Sequence, residues 1–340
     1  MLRKRRFWLG LAVSLFFMVL FLYRTDFRAM GDAFWGANYL FVLPAAAVYF
    51  VALFFRVGRW YVLLLPMRRI GFRNLFSVMS VGYMVNNILP LRLGDLARAY
   101  LLGEKEHLSK AAVLATVAGE RVLDGVALVL FLVAGAMFVP LTPLLRDMTR
   151  ITALLFLGAL VLLILVSFRG AILHRAMALP FIPLSIQAKA QEVAGLFLSG
   201  LKAMKSLRGL AMACALSILM WLAEAAIFYM VSLSFSLELP FWAFIMATAA
   251  ANLSISLPSS QGGIGPFEVF TLQVLLLFGS NAAVATAYAV ALHATILLPV
   301  TLLGLYYLVA NHLSLGRMVA GEGATAARRG VRLPLERREP

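Results

Sequence analysis

Charge is scarce in this chain of 340 residues: Asp, Glu, Lys and Arg together make up 13% of it, while 63% is apolar. Soluble domains carry roughly 25% charged residues, so a water-soluble body is excluded and the chain is an integral membrane protein. Cysteine is nearly absent. The single Cys214 lies in the apolar run 211–216, which excludes an intrachain disulfide and any cysteine-based metal centre. The four histidines, His107, His174, His293 and His312, are scattered, and His293 alone lies inside a span. No metal site and no cofactor is expected. His-Glu-x-x-His, Gly-x-Ser-x-Gly and the phosphate-binding loop with its lysine are all missing, which removes zinc proteolysis, serine hydrolysis and ATP-driven pumping. Acids are half as frequent as bases, 15 against 30. The resulting +15 falls between apolar spans, so membrane topology accounts for it and no nucleic-acid partner is expected.

What is present is a series of apolar runs. The first, 7–23, follows Arg3-Lys4-Arg5-Arg6 and ends at Arg24 without a small-x-small cleavage site, so it reads as an uncleaved span. Others lie at about 39–55, 74–91, 111–139, 151–168, 209–235, 241–257, 266–279 and 282–310. The segments 56–73 and 169–208 are strongly basic and should be cytoplasmic, as should both termini. An even number of crossings must separate the two segments, yet three apolar runs do. One run must therefore turn back, and 74–91 leads into Asn87, Pro90 and Gly94, where proline removes a backbone donor and glycine permits a sharp turn. A second break, Pro258 with Gly262, Gly263 and Gly265, separates 241–257 from the short run 266–279. Proline and glycine are four apart in both breaks.

The expected fold is all-α: a polytopic transmembrane bundle with two opposed re-entrant hairpins related as an inverted repeat. The competing reading is a set of ordinary kinked helices. A single domain is expected over 1–312, with repeat one at about 39–168 (hairpin 74–103), a cytoplasmic amphipathic linker at 169–208, and repeat two at about 209–312 (hairpin 241–280). A basic disordered cytoplasmic tail would occupy 313–340.

Charges inside spans are costly and mark function. Asp95, Glu120, Asp124, Glu224 and Glu268 are such residues, and no Lys or Arg occurs between 209 and 316. Glu224 and Glu268 are thus expected to pair with arginines of the first half or to couple protons, and Glu120 and Asp124, one turn apart, to orient an arginine of the first hairpin.

The run 87–98 (Asn-Ile-Leu-Pro-Leu-Arg-Leu-Gly-Asp-Leu-Ala-Arg), then Glu120-Arg121-Val-Leu-Asp124, then 258–268 (Pro-Ser-Ser-Gln-Gly-Gly-Ile-Gly-Pro-Phe-Glu) resembles the lysylphosphatidylglycerol synthase transmembrane-region family, also called flippase-like or UPF0104-type membrane proteins. The resemblance covers about residues 8–312, with Asp95 where relatives often carry Glu and His293 where they often carry arginine. It implies lipid translocation between leaflets in a bacterial or archaeal cytoplasmic membrane. The soluble aminoacyl-transferase domain of bifunctional relatives is not expected here, because the segment after the last span is too short for a core. Stand-alone relatives are associated with hopanoid and polyprenol-linked sugar pathways, so the substrate expectation is an anionic or phosphate-bearing lipid. Arg92, Arg98 and Arg121 would receive its phosphate, since guanidinium binds phosphate in bidentate fashion and stays charged. No catalytic residue is expected. The alternatives are a membrane enzyme of lipid or glycan assembly, with a metal on Glu120 and Asp124, and a non-transporting scaffold for biosynthetic enzymes. A homo-oligomer is compatible with each.

Overall fold

The structure is a computed structural model that describes residues 2–23, 25–89, 92–168, 184–255 and 261–311, with side chains at those positions other than 2–11, 184–190 and 261. Among the described residues there are twelve α-helices and no strand: α1 (Leu2–Leu22), α2 (Phe27–Gly36), α3 (Val42–Leu64), α4 (Phe72–Ile88), α5 (Leu93–Glu106), α6 (Lys110–Ala136), α7 (Pro143–Phe168), α8 (Leu184–Gly200), α9 (Leu207–Ser234), α10 (Phe241–Ser254), α11 (Pro266–Leu277) and α12 (Ala282–Ala310). Among the described residues four stretches are long and apolar enough to cross a membrane: Tyr39–Leu64, Pro143–Phe168, Leu207–Ser234 and Ala282–Ala310. The outside of α7 shows what surrounds them. Leu154, Leu155, Val161 and Leu162 are all exposed, whereas Arg59, Arg98, Glu120 and Glu224 are buried to 2% exposure or less. That inversion of a soluble protein's pattern is stable only in lipid.

The helices α4, α5, α10 and α11 have 17, 14, 14 and 12 residues. At 1.5 Å per residue they reach about 18–26 Å, short of the ~30 Å hydrocarbon core. They pack as two helix–turn–helix pairs, α4 on α5 and α10 on α11. The first pair closes tightly because two glycines face each other. A Cβ on Gly94 would sit 1.9 Å from the Gly82 carbonyl oxygen, and one on Gly82 would sit 2.3 Å from Arg98 Cγ. The side chain of Asn86 spans the turn, accepting from the Gly94 N–H at 2.8 Å.

Around these pairs, α3 packs most extensively on α9, α4 lies along α12, and α10 lies along α6. The first pair is tied to α12 by Asn87, whose Nδ2 donates to Thr301 Oγ1 at 2.9 Å. The main core cluster joins α9, α10, α11 and α12 through Phe228, Phe244, Phe270 and Tyr288, and a second joins α3 to α4 and α5 around Trp60, Leu75 and Met79.

One expectation needs correction. The apolar run 39–55 does not end before Arg56: α3 continues to Leu64, so Arg56 and Arg59 are intrahelical cations, Arg73 lies in the first turn of α4, and Arg68 and Arg69 remain for a basic loop. Between α1 and α3, Asp26 caps α2 by accepting from the Arg28 and Ala29 N–H groups. The linker's described part docks on α6 through α8 and buries Leu201, Ala203 and Met204. Residues 169–183 and 313–340 lie outside the described residues, as do Pro90 and Pro258 of the two breaks.

Two outcomes follow from this packing. Gly94→Ala is expected to destabilise the protein by about 1–3 kcal/mol or more through overpacking, read as a fall in the unfolding midpoint in detergent. Gly158→Ala, which meets nothing within 4 Å, should leave the midpoint in place. Cysteines at Arg69 and Lys202, both exposed, are expected to react from the same side of a sealed vesicle, and one at the exposed Asp147 from the opposite side. Labelling of all three from one side would rule out this threading.

Candidate functional site

The three long helices α3, α6 and α9 carry ionisable residues at positions a soluble helix would fill with leucine, and each charge is answered from another helix. Arg59 extends a fork to Asp124, with Nη1 on Oδ1 at 2.5 Å and Nη2 on Oδ2 at 3.2 Å. Its Nη1 also donates to Ser217 Oγ at 2.8 Å. Glu120 lies 3.6 Å from Arg59 Nε and accepts from Arg98 Nη2 at 2.6 Å. The Arg98 guanidinium rests on the Trp60 ring, 4.1 Å from its centroid. Trp60 in turn donates to Thr116, and Trp221 donates to Asp124 at 3.1 Å. Buried charges persist in a low-dielectric interior only with such partners.

A cavity of about 390 Å³ lies beside this network, between the turns of the two helix pairs. Arg56, Arg92 and Arg121 line it, against the carboxylates of Asp124 and Glu224. Arg56 donates to Glu224 through Nη2 and sits over the rings of Tyr83 and Trp221, 5.1 and 5.3 Å from their centroids. Its Nε is buried and has no partner among the described residues. Arg121 holds Asp95 with two bonds, Nε to Oδ2 at 2.9 Å and Nη2 to Oδ1 at 2.7 Å. Arg92 starts α5 in a left-handed conformation, φ 50°, and forms no direct ion pair among the described residues. Asn86, Asn87 and Asn252 add amide groups to the wall.

The second turn, residues 261–265, closes the other end. Gly262, Gly263 and Gly265 have φ of 65°, 77° and 99°, a region open to glycine and closed to most other residues. Glu268 caps α11, its Oε2 accepting from the Gly265 N–H at 2.7 Å. Its Oε1 faces His293 Nδ1 of α12 at 2.5 Å, and His293 Nε2 faces the Gly262 carbonyl at 3.0 Å.

Of the residues singled out from the sequence, Arg92, Arg121, Asp124, Glu224, Asn87, Gly262 and Gly263 meet at the cavity. Arg98 does not. It is buried against Glu120 and Trp60, with Glu120 rather than open space in front of its guanidinium. Glu224 reaches into the first half, but to Arg56, and Glu268 finds His293 within its own half instead of an arginine of the first. Glu120 and Asp124 face guanidinium groups, which takes from the metal reading the carboxylate pair it required. Arg56, Arg59, Tyr83 and Trp221 escaped sequence reasoning. The three-residue spacing of Arg56 and Arg59 within a continuous apolar helix was the available signal, and the positive-inside rule absorbed it.

A stability cycle tests the pairing of α3 with α9. Arg56→Gln and Glu224→Gln each strand a buried charge and are expected to cost about 3–5 kcal/mol. The double variant should cost clearly less than the sum, by thermal unfolding of the full chain in detergent. Additivity would show that the two side chains do not interact.

Comparison with known proteins identifies relatives among membrane proteins. A UPF0104 membrane protein of Methanocaldococcus jannaschii is 29% identical over 211 residues, 61% of this chain and 84% of that protein. A UPF0104 membrane protein of Methanothermobacter thermautotrophicus is 33% identical over 96 residues, 27% of this chain and 28% of the relative. Residues 7–304 match the family described as the lysylphosphatidylglycerol synthase TM region, and the chain belongs to that family.

Proposed function

We propose that this protein is a flippase-like transporter that moves an anionic or phosphate-bearing lipid between the leaflets of the cytoplasmic membrane. The observation that carries the reading is the gathering of arginine at a cavity between apolar helices: Arg56, Arg92 and Arg121 line it, the first paired with Glu224 and the last with Asp95, while Arg92 forms no direct ion pair among the described residues. Arginines gathered inside a lipid-facing bundle are costly and mark function. Arg92 without a direct ion pair and the unpartnered Arg56 Nε are donors in want of an acceptor, and a phosphate offers several. The cavity ligands in this reading are Arg56, Arg92 and Arg121, with Arg98 fixing α5 against α6.

Glu224 and Asp95 hold Arg56 and Arg121. An entering phosphate takes over those guanidinium groups, so the carboxylates act as placeholders that keep the arginines oriented. The acyl chains stay outside among the exposed apolar side chains while the headgroup crosses through the cavity.

The reading includes an inverted repeat, 39–168 and 209–312, with each helix pair entering from one side and returning to it. Reciprocal packing supports it. The first long helices of the two halves, α3 and α9, pack on each other, and α4 lies along α12 as α10 lies along α6. Two such halves can rock about their shared seam and open the cavity to one leaflet at a time.

The test uses the full chain in liposomes of phosphatidylcholine with a trace of fluorescent phosphatidylglycerol and a membrane-impermeant quencher. Arg56→Gln and Arg121→Gln are each expected to slow leaflet exchange at least about tenfold, since a charge-assisted hydrogen bond is worth roughly 1.5–3 kcal/mol. Exchange at the parent rate by the doubly substituted protein would remove the headgroup site.

A further inference from the structure

Four of the five intramembrane carboxylates face arginine, which keeps its proton at any working pH. Glu268 alone faces an imidazole, the side chain whose ordinary titration lies nearest neutrality. The two residues are 5% and 4% exposed, and the Phe267 ring stacks on the imidazole with centroids 4.1 Å apart.

The hydrogen bonds of this pair require a count of protons. The partner of His293 Nε2 is a carbonyl oxygen, which only accepts, so Nε2 carries a proton. On the other side Glu268 Oε2 is occupied by the Gly265 N–H, and Oε1 lies 2.5 Å from His293 Nδ1. A second proton must sit between those two atoms, because otherwise two lone pairs would face each other. The pair therefore holds two protons and is neutral overall. With one proton removed, a single imidazole N–H remains for two acceptors. The ionised carboxylate is the stronger acceptor, so the proton moves to Nδ1 and the Gly262 carbonyl loses its donor. That bond joins the turn 261–265 to α12, and both Gly262 and His293 line the arginine cavity.

We propose that His293 and Glu268 form a proton-binding site that locks the second turn over the cavity when loaded and releases it when the proton passes to cavity water. The coupling of that release to transport rests on the reading of the cavity as a lipid headgroup site. The titratable and charged groups brought to this end by the neighbouring elements are Arg56 and Tyr49 of α3, Tyr83 of α4 and Glu224 of α9, which line the same cavity. Those of α2, Arg28 and Asp32, are exposed, and on α12 the Tyr288 hydroxyl is committed to the Phe228 carbonyl at 2.8 Å. α10 and the described side chains of α1 carry none.

The test labels Ile264→Cys, a position 40% exposed in the turn, in a Cys214→Ala background with a water-soluble maleimide in proteoliposomes. Trp35→Cys, at a site 92% exposed on α2, supplies the pH dependence of thiol chemistry itself. The ratio of the two rates is expected to rise with pH, by no more than about tenfold per pH unit for a single proton released. In Glu268→Gln the amide donates to Nδ1 and still accepts from Gly265, so the turn should stay slow to label at every pH. His293→Gln, which cannot titrate, should give a flat ratio. A flat ratio in the parent, or the parent's slope in both variants, overturns the proton site. A second arm imposes a pH gradient and follows fluorescent phosphatidylglycerol. Acceleration in the parent and none in Glu268→Gln supports coupling, and an equal response in both overturns it. Lipid that does not move in the parent at all removes the transport reading, while the labelling ratio still decides the proton site.

Discussion

The fork from Arg59 to Asp124 joins α3 to α6, and the remaining buried charges are arranged around it. Arg59 also reaches Ser217 of α9 and approaches Glu120, and Trp221 of α9 donates to Asp124 Oδ1. Three long helices are thereby fixed in rotation as well as position. Apolar packing alone does this poorly in lipid, where the surroundings are as apolar as the side chains. The cost of burying such charges is severe for any one of them unpaired, so the network specifies a single arrangement, and other registers of α3 against α6 and α9 would strand charge.

The first helix pair inherits its place from that network. Arg98 binds Glu120 and Arg121 binds Asp95, so α5 is attached to α6 at two points on one face. The glycine contact of Gly82 and Gly94 then brings α4 onto α5 at backbone distance. Leu89 and Arg92, which flank the turn after α4, thereby come to line the cavity. The second pair is anchored differently. Its α10 is free of charge and packs along α6, and among the described residues its turn is hydrogen-bonded to α12 through His293. The first pair is thus held through ionic bonds and the second turn through a hydrogen bond to a histidine.

The cavity wall has the same logic. Aromatic rings of Tyr83 and Trp221 flank Arg56, and they keep a guanidinium favourable where water is limited. The Arg56 guanidinium thus stands between its carboxylate and the cavity.

The membrane character, the all-helical fold, the two interrupted helix pairs and the family were legible in the sequence. They rest on local properties: run length, charge scarcity, and the Pro and Gly positions that break a helix. Five intramembrane carboxylates were legible too, because a charge in an apolar run is conspicuous wherever the chain folds. Their partners were not. Arg56 and Arg59 looked like the edge of a cytoplasmic loop, and Arg98 looked like a ligand, because a sequence shows a charge but not what stands opposite it. The pairing of Arg56 with Glu224, 168 residues away, and of Glu268 with His293 was decided by which faces of α3, α9, α11 and α12 meet. That is a property of helix rotation and packing across the bundle, set by the sum of many contacts, and no local stretch of residues encodes it.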